Sequence, residues 1–357
     1  MDNKLNNTEG SENGFSQYTY TPPEHFFSPP KKNGFDKELA SLLIMCGLVP
    51  ILYIGISYAC SFVALLTHRL AYAFLAGTGG IFYFKHVFYP ALELVFSLVC
   101  LIVPFLVLLA LKKSYKREDK EIRFLSVRPV SLFDTLTYVS LGFVGVYAGS
   151  YMTSMTTAFF NGLGITLIER DYSIPEHPIG IFISFVTMAL IAGIFEELLF
   201  RGAVLSYLRR YGDLFAVLVS AFLFAVLHRN LIQLPYTFAL GVIMGLVAVK
   251  SENIIYSMII HILNNTLAFA SMLLEELGLE SANAVFNAVY SIGVMALGAL
   301  GILLYVVKFK KSCFAFNKGE RDSLKRNPYV AAVLCPTIIV AFVVCAVQTL
   351  EYISFGG

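Results

Sequence analysis

Nine apolar runs divide this chain, at about 38–66, 87–111, 131–160, 179–208, 214–228, 231–249, 253–274, 285–307 and 329–350. A hydrocarbon core of about 30 Å is crossed by roughly 20 helical residues. Most of the runs reach or exceed that length. In lipid every backbone N–H and C=O must pair within the protein, and a continuous apolar run does so as a helix. Charged residues make up 14% of the chain, against about 25% in soluble domains. The expected fold is therefore all-α, a polytopic membrane bundle of about 8–9 transmembrane helices. Net charge is only +2, so no nucleic-acid partner is expected.

The runs suggest four parts. Residues 1–37 are polar, rich in Asn and Pro, and lack an early apolar stretch. They read as a disordered cytoplasmic tail rather than a cleaved leader. Residues 38–178 hold the N-terminal transmembrane helices, 179–272 a catalytic core of four consecutive spans, and 273–357 the C-terminal helices. The Gly-interrupted stretch 70–84 reads as a re-entrant or interfacial piece. With the N-terminus inside, Lys and Arg gather in the tail, 112–130, Arg209–Arg210, Lys250 and 308–327. Only Arg69, Lys85, Arg170 and Arg229 fall outside. This asymmetry predicts a multi-pass protein with a cytoplasmic N-terminus. The six cysteines form no CxxC pair and read as small core residues.

One segment breaks the apolar pattern. "IFEELLFRG" sets Glu196, Glu197 and Arg201 inside the fourth run. An acidic residue at a span centre costs about 2.5–3.5 kcal/mol on insertion scales, so adjacent carboxylates need partners or a task. Glu197 and Arg201 are spaced i,i+4 and share a face, where they can pair. Glu196 is rotated about 100° away. A desolvated carboxylate with no cation of its own suits a general base. The following runs add His228, one helical turn after Phe224, and then His261 and Asn265 at i,i+4 with Asn264 beside them. His68, His86 and His177 fall at span ends and read as solvated, while Glu93 and Asp134 read as helix-end residues. A buried His or Asn taken singly is most simply interhelical packing. Two Glu, an Arg, two His and an Asn within one short region argue for function instead.

These residues form three ordered motifs: EExxxR in "EELLFR", FxxxH in "FAVLH" and HxxxN in "HILNN". The set resembles the CAAX-protease and bacteriocin-processing (CPBP, Abi) family of intramembrane endopeptidases, over about residues 179–272. The resemblance implies hydrolysis of a peptide bond in a membrane-associated protein or peptide. Eukaryotic members trim prenylated CAAX proteins, and bacterial members are linked to peptide processing and bacteriocin self-immunity; a bacterial cell membrane is the expected setting. The expected catalytic set is Glu196, Glu197, Arg201, His228, His261 and Asn265. Glu196 and His228 would activate water, His261 and Asn265 would donate to the oxyanion, and Glu197–Arg201 would brace the helix. No cofactor is required in this reading. Zinc held by Glu196, His228 and His261 is the rival, although the chain has no HExxH pair. A non-enzymatic immunity or scaffold protein is the alternative from another class. A proton-coupled transporter is disfavoured by the lack of internal repeats. The sequence sets no oligomeric state.

Overall fold

The structure, a computed structural model, describes residues 35–114, 127–168, 173–319, 324 and 326–355. The tail expected over 1–37 lies almost entirely outside the described residues. The chain forms ten helices among the described residues, short 3-10 turns aside: α1 (Phe35–Leu75), α2 (Gly80–Leu111), α3 (Leu132–Gly162), α4 (Pro178–Tyr211), α5 (Asp213–Leu227), α6 (Gln233–Ser251), α7 (Ile255–Glu276), α8 (Glu280–Phe309), α9 (Pro328–Val333) and α10 (Pro336–Thr349). Seven helices are long and apolar enough to cross a membrane: α1 to α4 and α6 to α8. Bulky apolar side chains such as Phe62, Phe74, Phe159, Phe182 and Ile292 face outward. In water that surface would drive aggregation; in a bilayer it meets its solvent. The protein is an integral membrane helical bundle.

Two expected spans take a different form. The run 214–228 is α5, a helix of 15 residues that rises only about 22 Å, short of a 30 Å core. Phe215, Val217, Leu223, Phe224 and Leu227 are all buried, because α1, α4, α6 and α10 pack around it. α5 is thus an internal helix that stops within the bundle, and His228 sits at its end as the C-cap. The last run becomes the short helices α9 and α10, which pack against α1. The stretch 70–84 is not a separate re-entrant element: it is the end of α1, a turn, and the start of α2. Gly77, at φ 77°, supplies the turn.

Polar contacts tie the helix ends and loops together at both ends of the bundle. At one end, Arg210 donates to Glu38 (2.5 Å), Asp213 N–H to Asn317 O (2.9 Å), and Lys250 Nζ to Ser312 O (3.1 Å) and Ala315 O (2.5 Å). At the other, β1 (Ile165–Leu167) pairs antiparallel with β2 (Ile353–Phe355), with Thr166 opposite Ser354. Leu231 N–H donates to Thr349 Oγ1 (3.1 Å) on that same end. Asp134 lies in the first turn of α3 and pairs with Lys308, the helix-end role expected of it. Five of the six cysteines are buried, Cys60 is half-buried, and all are free thiols.

Candidate active site

The site is built on α4, which is not a uniform α-helix. Val186–Ile191 and Leu198–Leu205 are wound as π-helix and flank the α-helical turns Ala192–Glu197. Wider turns of this kind re-aim side chains and concentrate at functional sites. The N-terminus of α4 is held by two histidines that looked merely solvated in the sequence. His177 Nδ1 caps it by accepting Ile179 N–H (3.2 Å), and His86 Nδ1 accepts Glu176 N–H (3.0 Å). Further along, Gly193 lets α7 approach. A Cβ there would lie 2.5 Å from Ile262 Cγ1 and 3.1 Å from the Ile262 backbone nitrogen. That close approach places His261 beside the glutamates.

Glu197 and Arg201 are fully buried. Arg201 Nη1 donates to Glu197 Oε1 at 2.7 Å, and Nη2 donates to Gly241 O of α6 at 3.0 Å. The guanidinium also stands 4.6 Å from the centroid of the Phe224 ring, a cation–π contact strengthened by the absence of water. The expected i,i+4 pair therefore exists and is tied to two further helices. What the spacing did not reveal is its third member. His261 Nδ1 lies 3.0 Å from the same Glu197 Oε1, so Glu197 holds both Arg201 and His261.

Glu196 points elsewhere, as the helical rotation requires. Among the described residues its Oε2 is buried without a hydrogen-bond partner, and His261 Nε2 lies 3.9 Å from it. His228 donates Nδ1–H to Phe224 O at 3.0 Å. In the neutral ring that fixes the tautomer and leaves Nε2 with a lone pair. The Phe224 ring stands edge-on between the histidines, 4.9 Å from His228 and 5.5 Å from His261. Asn265 donates Nδ2 to Met188 O at 2.9 Å, in the first π segment. His228 and Asn265 are half-exposed while Glu197 and Arg201 are sealed, so the six residues grade from a buried brace to a reachable edge.

The start of α7 is fixed by a buried polar residue. Asn253, just before it, is buried, donating to Arg128 O (3.0 Å) and accepting from Ile255 N–H (3.1 Å). α7 thus starts inside the bundle, at a buried Asn rather than at a solvated turn.

A zinc ion needs three protein donors converging at about 2.0–2.2 Å from one point. Both Nδ1 atoms are engaged with protein oxygens, which leaves each Nε2 as the nitrogen open to a ligand. Among the described residues no three His, Cys, Asp or Glu side chains are disposed to hold a metal ion.

The site is a carboxylate–histidine–asparagine cluster enclosed by membrane helices. Residues 178–267 match the family model described as Rce1-like, type II CAAX prenyl endopeptidase. All six site residues lie within the matched segment. Over that segment the chain is similar to the CPBP/CAAX protease family of intramembrane endopeptidases. No curated protein and no solved structure matches the chain.

Proposed function

We propose that this protein hydrolyses a peptide bond in a membrane-associated protein or peptide by a metal-free glutamate mechanism. The observation that carries the reading is the buried, unpartnered Oε2 of Glu196 beside His261. A buried carboxylate oxygen with no donor is costly, and a reacting water is the donor it suits.

Glu196 removes a proton from water while His228 Nε2 accepts the second O–H and orients it. The hydroxide oxygen bonds to the scissile carbonyl carbon, and the carbonyl electron pair moves onto oxygen. Asn265 Nδ2 uses one hydrogen on Met188 O, and its second is available to the oxyanion. His261 supplies the other donor when protonated. Charge counting supports that state: Glu196, Glu197, Arg201 and an imidazolium His261 sum to zero, the form of a buried cluster that costs least. As the C–N bond breaks, Glu196 returns its proton to the leaving amine. Glu197 and Arg201 take no part in bond changes and fix His261 and the helix face.

The substrate class suited to this family core is a prenylated CAAX-type peptide or a comparable membrane-bound precursor. We place the protein in a bacterial cell membrane with its N-terminus cytoplasmic, the orientation that the Lys/Arg asymmetry favours. Two measurements test the reading. Membrane proteomics of wild type against Glu196→Gln is expected to show a precursor that persists only in the variant; identical peptide profiles would contradict proteolysis. Purified protein is expected to retain turnover after chelation and to contain no stoichiometric zinc. Loss of activity on chelation with recovery on zinc addition would replace the glutamate mechanism by the metal one.

A further inference from the structure

Asn265 is the one proposed oxyanion donor whose usefulness depends on which way an amide is turned. Turned one way it offers N–H; turned the other it offers an oxygen that repels the developing charge. Its side chain is flanked on both sides. Nδ2 donates to Met188 O at 2.9 Å, and Oδ1 accepts from Asn264 Nδ2 at 3.2 Å. A flipped amide would set oxygen against the Met188 carbonyl and nitrogen against a nitrogen donor. Asn264 is itself oriented, because its Oδ1 accepts the Tyr236 hydroxyl at 2.5 Å. Tyr236, on α6, is set by close packing. Gly149 of α3 lies so near that a Cβ there would stand 2.9 Å from Tyr236 Cα. The line of polarity therefore runs from a phenol on α6, through two adjacent amides on α7, to a main-chain carbonyl in the π-wound part of α4.

We propose that Tyr236 and Asn264 are positioning residues that lock the amide of Asn265 with its N–H toward the reacting carbonyl. The proposal rests on the role given to Asn265 above. Tyr236 O–H, which also meets the Tyr290 hydroxyl, donates to Asn264 without needing a correctly turned amide, so it sets the sense of the relay. Without it, Asn264 can rotate to present oxygen to Asn265, and Asn265 loses the preference for the productive orientation.

The test uses full-length protein in detergent with two readouts. The first needs no substrate: the side-chain amide protons of Asn265 in asparagine-labelled protein, identified by their loss in Asn265→Ala. In wild type they are expected to be well separated in shift and slow to exchange. In Tyr236→Phe the separation is expected to shrink and exchange to quicken; an unchanged pair overturns the lock. The second is cleavage of a quenched fluorescent peptide ending in a farnesylated cysteine and three aliphatic residues. Tyr236→Phe is expected to lower kcat about tenfold with KM unchanged, and to have no further effect in an Asn265→Ala background. An equal loss in both backgrounds would assign Tyr236 a role apart from Asn265 and overturn the proposal. Asn264→Asp keeps the acceptor for Tyr236 but removes the donor to Asn265. It is expected to reproduce both effects, and it decides the matter should Tyr236→Phe fold poorly. If wild type leaves the peptide intact, the assignment of that substrate fails, and the amide readout alone decides the lock.

Discussion

Two groups of charges are drawn into this bundle, and they are finished differently. Near the end that gathers the basic segments, Arg209 donates to Asp213 (2.9 Å) and to both carboxylate oxygens of Glu252 (3.0 and 2.7 Å). Lys250 beside it is held by two main-chain carbonyls. In the middle, Glu197 Oε1 holds both Arg201 and His261, while Glu197 Oε2, Arg201 Nε and Glu196 Oε2 are buried without hydrogen-bond partners among the described residues, and Glu196 has only His261 Nε2 at 3.9 Å. A region built for stability closes its charges. The central region leaves polar atoms open, and its least partnered carboxylate is Glu196, the group proposed to meet a substrate. Glu196 and Glu197 are neighbours in the chain, yet only Glu197 holds Arg201 and His261 within hydrogen-bond distance.

Breaking the buried brace should produce the largest structural effect. Arg201→Met leaves Glu197 charged and sealed, with an expected loss of about 3–5 kcal/mol in unfolding free energy. Adding Glu197→Met should recover part of that stability but none of the activity. Thermal unfolding followed by circular dichroism checks both. Asn265→Ala should lower kcat by about 10²-fold with little change in melting temperature, since it is half-exposed and removes no charge. The smallest effect is expected in the closed group. Arg209→Ala should cost about 1–3 kcal/mol, because Glu252 is partly solvated while Asp213 is buried, and should leave kcat at the wild-type value. A large fall in kcat for Arg209→Ala would erase the contrast between the two regions.

Much of this was readable from residue spacing. The i,i+4 relation of Glu197 and Arg201 fixes a shared face in any helix, and it also turns Glu196 away. The apolar runs specify a membrane bundle because lipid leaves the backbone few alternatives. What spacing cannot supply is the rotation of one helix about another. The link from His261 to Glu197 depends on how α7 lies on α4, which Gly193 controls by admitting Ile262. The Tyr236–Asn264–Asn265 line depends on three helices at once. Hydropathy could not separate α5, a short internal helix, from a membrane span, because burial in protein and burial in lipid select the same side chains. The π-wound turns of α4 leave no periodic mark that a short apolar sequence would reveal. The resemblance to a protease family covered only the core, so the pairing of β1 with β2 had no signal at all.

The central claim is that Glu196 is held ready for catalysis and Glu197 for structure. It is tested most directly by measuring turnover and thermal unfolding together for Glu196→Gln, an isosteric change that removes the charge. The account predicts that turnover falls by about 10²–10⁴-fold, the range for loss of a general base, while the melting temperature stays at or above the wild-type value. A variant that keeps normal turnover, or that loses activity only in step with its stability, would contradict it.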